Sequence, residues 1–188
     1  LESQKIEYVS KINLILKQLS YFEENWHMHT KEREYKYNLE WSTKDFVISL
    51  YGYIDRVDVN GMASFCVFDY KSSDKELKLD DFYTGNALQL ATYTIAYEEQ
   101  SKLVPVGQFY ISLKTSPLQQ EAYKANYRKK NAELTEIEVT QKDFEKEKRI
   151  NGWSLQDIST YCDEPSIFKT PKKDTPSFEV MKDEWKYI

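Results

Sequence analysis

Two apolar, β-prone arms, Val47 to Val59 and Met62 to Tyr70, flank the dipeptide Asn60-Gly61. An Asn-Gly pair between such runs is the strongest short-range hairpin signal, because both residues tolerate the positive φ that a tight β-turn demands. The hairpin therefore sits at the centre of whatever this chain folds into. It also poses a problem, since Asp55, Asp69 and Lys71 stand among residues that read as buried. Ionised groups in a half-buried strand cost several kcal/mol unless something satisfies them. A divalent cation together with a phosphate would do so. So would a plain structural Asp–Lys pair at a strand end, and the residues alone leave both open.

Whether the three groups converge depends on the turn. Side chains alternate along a strand, so Asp69 and Lys71 share a face. A two-residue turn at Asn60-Gly61 would pair Val59 with Met62 and Asp55 with Cys66, sending the two carboxylates to opposite faces. A three-residue loop, Val59-Asn60-Gly61 with Gly61 left-handed, pairs Asp58 with Met62 and sets Asp55 opposite Phe65, on the face of Asp69 and Lys71. A shared ion site thus requires an odd-residue loop or a bulge of the same effect.

Around the hairpin, Ile6, Val9, Ile12, Ile15 and Leu19 recur at helical spacing, predicting an amphipathic helix over Glu2 to about Glu24 with its apolar face in the core. Asn25 to Arg33 reads as a polar loop, whose His27 and His29 are expected to be solvated rather than metal-bound. Glu34 to Trp41 alternates as a strand. Ser72 to Asp81 reads as a connecting loop, and Phe82 to Gln100 as a helix with Leu88, Thr92, Ile95 and Ala96 on one face. Val104 to Leu113 is another strand. Gln119 to Lys130 interleaves basic and aromatic residues, which suits either a DNA backbone or a solvated helix face. Glu133 to Val139 is a short strand candidate, and Gln141 to Arg149 a charged helix. From Asn151 onward the chain reads as irregular, with Pro165, Pro171 and Pro176 breaking longer elements, and is expected to wrap the surface.

An Asp followed by Asp-x-Lys on the next strand is the pattern of PD-(D/E)XK nucleases. Gly52-x-Ile54-Asp55-Arg56-x-Asp58 before Asp69-Tyr70-Lys71-Ser72 resembles the version found in RecB-type recombination nucleases. Leu77 to Tyr93 resembles the helix carrying that family's Gln-x-x-x-Tyr, here Gln89 and Tyr93. Pro105-Val-Gly-Gln-Phe-Tyr resembles the last core strand of AddB/RexB subunits, and Ile150 to Asp157 their distal region. The likeness is dense from Glu34 to Leu113 and thinner to Asp157.

The resemblance implies an α/β, restriction-endonuclease-like core: a central mixed sheet of four or five strands flanked by the helices at Glu2–Glu24 and Phe82–Gln100. Residues 1–188 are expected to form one nuclease domain, with its core at about 34–113 and an extension at 118–188 packing on it. The resemblance further implies a DNA nuclease within a helicase–nuclease complex. Asp55, Asp69 and the Tyr70 carbonyl would hold Mg²⁺ or Mn²⁺, Lys71 would act on the water or the developing charge, and Gln89 and Tyr93 would position. Two departures stand out. The four cysteines that hold an iron–sulfur cluster in full-length AddB-type relatives are absent, and the chain begins at Leu1, after the expected place of an upstream Gly-x-x-x-His motif.

Composition narrows the partners. The 188 residues carry a formal net charge of −5, so weak, strongly salt-dependent DNA binding is expected of this chain alone. DNA and a helicase–nuclease partner subunit are the expected partners. No apolar run approaches a membrane span, and the two cysteines, Cys66 and Cys162, read as free thiols of a cytoplasmic protein. Two other readings compete with the nuclease: a catalytically silent DNA-end-binding or assembly module of the same fold, and an unrelated α/β interaction protein with an accidental Asp-x-Lys.

Overall fold

Helix α1 (Glu2–Asn25) leads into three consecutive antiparallel strands, β1 (His29–Ser42), β2 (Val47–Asn60) and β3 (Ser64–Lys71). Helices α2 (Leu79–Tyr83) and α3 (Gln89–Ser101) then carry the chain back to β4 (Val104–Ser112), which lies parallel to β3. Strand β5 (Ile150–Ser154) adds antiparallel to β4, and the two-residue β6 (Phe168–Lys169) parallel to β5. The computed structural model describes residues 2–42, 44–61, 63–73, 75–114, 150–154 and 158–169. Among these the strands form one mixed sheet in the order β1-β2-β3-β4-β5-β6. This is the expected α/β architecture, with six strands where four or five were expected, because β5 and the two-residue β6 form within the stretch read as irregular. The segments at Gln119–Lys130, Glu133–Val139 and Gln141–Arg149 lie outside the described residues.

Both faces of the sheet are covered, which is why β3 and β4 read as nearly continuous apolar runs. On one face α3 packs Leu90, Tyr93, Ala96 and Tyr97 against Val57, Val67 and their neighbours. On the other, Phe22 and Trp26 from the end of α1 meet Phe68, Phe109 and Phe168. Arg56 and Asp58 are buried on this second face, where Asp58 accepts from Arg56 Nε (2.7 Å), Arg56 Nη2 (2.6 Å) and Trp26 Nε1 (2.8 Å). Arg56 Nη1 also meets Glu23 of α1, so one ionic network ties the helix to the sheet.

Several expectations are corrected. The segment 25–33 is not a loop throughout. His29 pairs with Val59, and β1 absorbs the mismatch of its polar sequence in a bulge between Thr30 and Glu32. His27 is exposed and pairs with Asp163 (2.9 Å). The apolar face foreseen for α1 stays outside the core at Val9 (49% exposed) and Ile12 (54%), because the helix reaches the sheet through its last turns.

The helix expected over Phe82–Gln100 is two helices. Gly85, at φ +78°, ends the first, and the amides of Asn86 and Ala87 fold back onto the Asp81 carbonyl at 2.7 and 3.0 Å. The buried face of α3 is therefore set by Leu90, Tyr93, Thr94 and Tyr97 rather than by Leu88, which is exposed. Of the stretch from Asn151 onward, the described residues 151–154 and 158–169 are not irregular surface chain, and the remainder lies outside the described residues. Residues 151–154 form most of β5, and Ile158, Tyr161, Cys162 and Ile167 enter the second core.

Candidate active site

Residues of β2 and β3 pair as Asn60↔Ser64, Val59↔Phe65, Asp58↔Cys66, Val57↔Val67 and Arg56↔Phe68. The loop is thus Gly61-Met62-Ala63, an odd number of residues with Gly61 left-handed (φ +61°). Parity is as the chemistry requires, but the loop is displaced toward β3 from the Val59-Asn60-Gly61 expected. The displacement matters. Continuing the register one step sets Asp55 across from Asp69 rather than from Phe65, and the Tyr70 amide donates to Asp55 Oδ2 at 2.9 Å.

Strand β2 is irregular at this point. Ile54 and Val57 both pack in the α3-side core although they stand three residues apart, so the alternation of faces breaks between them. The β1–β2 pairing passes from Arg33↔Arg56 to Tyr35↔Ile54, and the intervening Glu34 has φ +52°. The register itself is the same on either side, so the irregularity is a local turn of the backbone and not an inserted residue. Here it frees Asp55 beside the end of β3 while Arg56 anchors the opposite face.

Asp69 is buried (2% exposed). Its Oδ2 lies in ion-pair contact with Lys71 Nζ. Burial pushes the Asp69 carboxyl above its ordinary range, Lys71 opposes this, and Asp55 adds to it. Lys71 Nζ donates to Gln89 Oε1 (2.8 Å), and Gln89 Nε2 donates to Tyr93 Oη (2.8 Å). Because Gln89 opens α3 and Tyr93 follows four residues later, one helical turn presents both toward β3. The Tyr93 ring meets Tyr37 of β1 edge-on at 5.7 Å. The structure therefore brings Asp55, Asp69, Lys71, Gln89 and Tyr93 together, with Tyr70 between the acidic and basic residues of β3.

Sequence reasoning missed two neighbours. Tyr110 of β4 is the register partner of Asp69, and the ammonium groups of Lys71 and Lys75 stand 5.4 and 4.9 Å from its ring centroid. Strand parity could have given Tyr110 only if the parallel β3–β4 register were known. Lys75 sat among other polar residues of a connecting segment with nothing to mark it.

The donor set is one of hard oxygens. Among the described residues no group of three or more His, Cys, Asp or Glu side chains is placed to hold a metal. Two carboxylates, Asp55 and Asp69, nonetheless suit an ion such as Mg²⁺, which takes few protein ligands and keeps several waters.

A family model described as the PD-(D/E)XK nuclease superfamily matches residues 3–163, most of the chain and all of this site. The chain belongs to the PD-(D/E)XK nuclease superfamily. Among curated relatives, the B subunit of an ATP-dependent helicase/deoxyribonuclease from Thermoanaerobacter sp. is 36% identical over 118 residues, covering 58% of this chain and 9% of the relative. The proteins of the same name from Carboxydothermus hydrogenoformans and Caldanaerobacter subterraneus are 31% identical over 117 residues and 42% identical over 74. These alignments cover 58% and 35% of this chain, and 10% and 6% of those relatives. The chain thus spans about a tenth of the length of the first relatives it matches. Among the described residues no helix is long and apolar enough to cross a membrane.

Proposed function

We propose that this chain is the nuclease module of a cytoplasmic helicase–nuclease assembly and hydrolyses DNA phosphodiester bonds with Mg²⁺ or Mn²⁺ bound. The observation that carries this reading is that Asp55 reaches the end of β3, where it accepts from the Tyr70 amide beside Asp69, with Lys71 held between Asp69 and Gln89. Asp55, Asp69 and the Tyr70 carbonyl would hold the ion. When bound, the ion supplies charge neutralisation on the phosphate and a bound water of lowered pKa.

The chain's own residues do the remainder. Lys71, aimed by Gln89, sits where it orients the attacking water or meets the charge that develops on the phosphate. Gln89 is fixed in turn by Tyr93, whose ring is braced by Tyr37, so the base of the site is rigid. None of these groups addresses a base edge, which predicts cutting without sequence preference. Names of the relatives support DNA as substrate and a helicase partner, since those proteins are called helicase/deoxyribonuclease subunits.

The test is cleavage of labelled DNA by the purified chain in Mg²⁺ or Mn²⁺ against EDTA, with calorimetry of ion binding alongside. Cleavage is expected only with the ion, and Asp69→Ala should abolish both cleavage and ion binding. Lys71→Ala should bind the ion but cleave about 10²-fold more slowly or worse. If the parent takes up no divalent ion, the reading fails. If it binds ion and DNA yet never cuts, the chain is a silent DNA-end-binding module instead.

A further inference from the structure

We propose that Lys75 is a second phosphate-binding residue of this site, holding the DNA backbone at a phosphate next to the one that is cut. The inference rests on the nuclease reading above and extends it to how the strand is gripped. Three observations converge on Lys75.

First, its place. Lys75 lies in the segment that follows β3, four residues beyond Lys71, and its ammonium group stands 4.9 Å from the centroid of the Tyr110 ring. Tyr110 is itself the register partner of Asp69 and is 1% exposed, so the ring is a fixed floor at the base of the site. An aromatic face attracts a cation within about 6 Å without neutralising it.

Second, its charge is uncommitted. Lys71 is already held by Asp69 and Gln89. Among the described residues Lys75 has no carboxylate within ion-pair distance, and its electrostatic influence reaches Asp69. Most surface lysines are simply solvated. This one is half-buried and held over a ring at the edge of an acidic cluster, where an anion arriving at Asp55 and Asp69 would meet it.

Third, the division of labour. The site has two carboxylates, Asp55 and Asp69, which would hold an ion that neutralises the scissile phosphate. The flanking phosphates of the same strand bring further negative charge that Lys71, committed as it is, does not meet. Lys75 is the available cation. Its ligand is a nucleic-acid backbone phosphate and not a base.

The experiment measures binding rather than cutting. Fluorescence anisotropy with a labelled oligothymidylate, in Ca²⁺ to hold the strand uncut, is followed across a salt series for the parent, Lys75→Ala, Lys75→Arg and Lys17→Ala. Lys17 is an exposed lysine of α1 and controls for the loss of one charge. One lost phosphate contact should lower the magnitude of the log K versus log salt slope by about 0.7 and weaken binding about fivefold near 0.1 M salt. That loss is expected for Lys75→Ala, with Lys75→Arg and Lys17→Ala keeping the parental slope. Tyr110→Leu, which removes the ring, should weaken binding in the same sense, and Tyr110→Phe should not. An unchanged slope and affinity in Lys75→Ala would overturn the proposal, as would a parent that binds no oligonucleotide or an equal loss in Lys17→Ala. Cleavage by the parent in Mg²⁺ is scored separately, so the nuclease reading can stand when the role of Lys75 falls.

Discussion

Replacing Asp58 by Ala should come close to unfolding this protein, although Asp58 lies on the far side of the sheet from the candidate chemistry. The Asp58 carboxylate is fully buried and accepts two hydrogen bonds from Arg56 and one from Trp26, at 2.6–2.8 Å. Its removal leaves the guanidinium of Arg56, itself 2% exposed, with Glu23 and a long contact to Tyr70 Oη (3.5 Å). Glu23 is half-exposed and screened, so it compensates little. Breaking a buried ion pair by deleting one partner costs about 3–5 kcal/mol, and the orphaned Trp26 indole adds to the loss. Against a total stability on the order of 5–15 kcal/mol for a domain, that is a large share.

Trp26 makes the event visible, because its indole loses its acceptor and its emission should shift on unfolding. Urea titration followed by tryptophan fluorescence gives the free-energy difference. The companion variant Arg56→Met/Asp58→Leu removes both charges and fills the space. It should cost far less than Asp58→Ala alone, because no unpaired charge is left behind. A loss below ~1 kcal/mol for Asp58→Ala, or a double variant as unstable as the single one, would refute the account of this network as an obligate buried pair.

Asp69→Asn should lose divalent-ion binding yet melt no lower than the parent in EDTA at neutral pH. Burial raises the Asp69 carboxyl above its unfolded value, so the ionised form is disfavoured in the fold. Its contribution to stability is greatest at low pH and is lost as pH rises through the folded value, and the amide removes that penalty. A markedly lower melting temperature would refute this. Gly152→Ala should cost about 3 kcal/mol or more and detach β5, because a Cβ there would sit 2.0 Å from the Gln108 carbonyl oxygen. Unchanged chemical denaturation would contradict it. His27, hydrogen-bonded to the exposed Asp163, should titrate by NMR above 6.5, and Asp163→Asn should bring it back toward that value. A midpoint insensitive to Asp163 would show that the pair does not persist in solution.

What the sequence determined by itself is the local chemistry and the centre of the fold. Asn60-Gly61 between β-rich arms is a local signal, and the hairpin formed there with Gly61 left-handed. The demand that Asp55 and Asp69 share a face required an odd loop, and the loop has three residues. Gln89 and Tyr93, four apart, were neighbours on any helix, and they are linked by a hydrogen bond. These statements needed only strand parity, helix pitch and turn stereochemistry, which act over a few residues.

Tertiary structure decided what depends on distant partners. Where the loop falls within Asn60–Ser64 is set by how β3 aligns with β2 and β4, so the sequence could not choose between Phe65 and Asp69 as the partner of Asp55. The polar stretch His29–Arg33 became a strand because β2 offered it a ladder, and intrinsic preference is weak against that. Val9 and Ile12 had the periodicity of a core face, but burial requires a surface to pack on, and the sheet meets α1 only near Phe22 and Trp26. In the sequence Arg56 and Asp58 stood only within the motif that carries the family resemblance. Only the closing of α1 over the second face removed them from water, and made an ion pair two residues apart into a determinant of the fold.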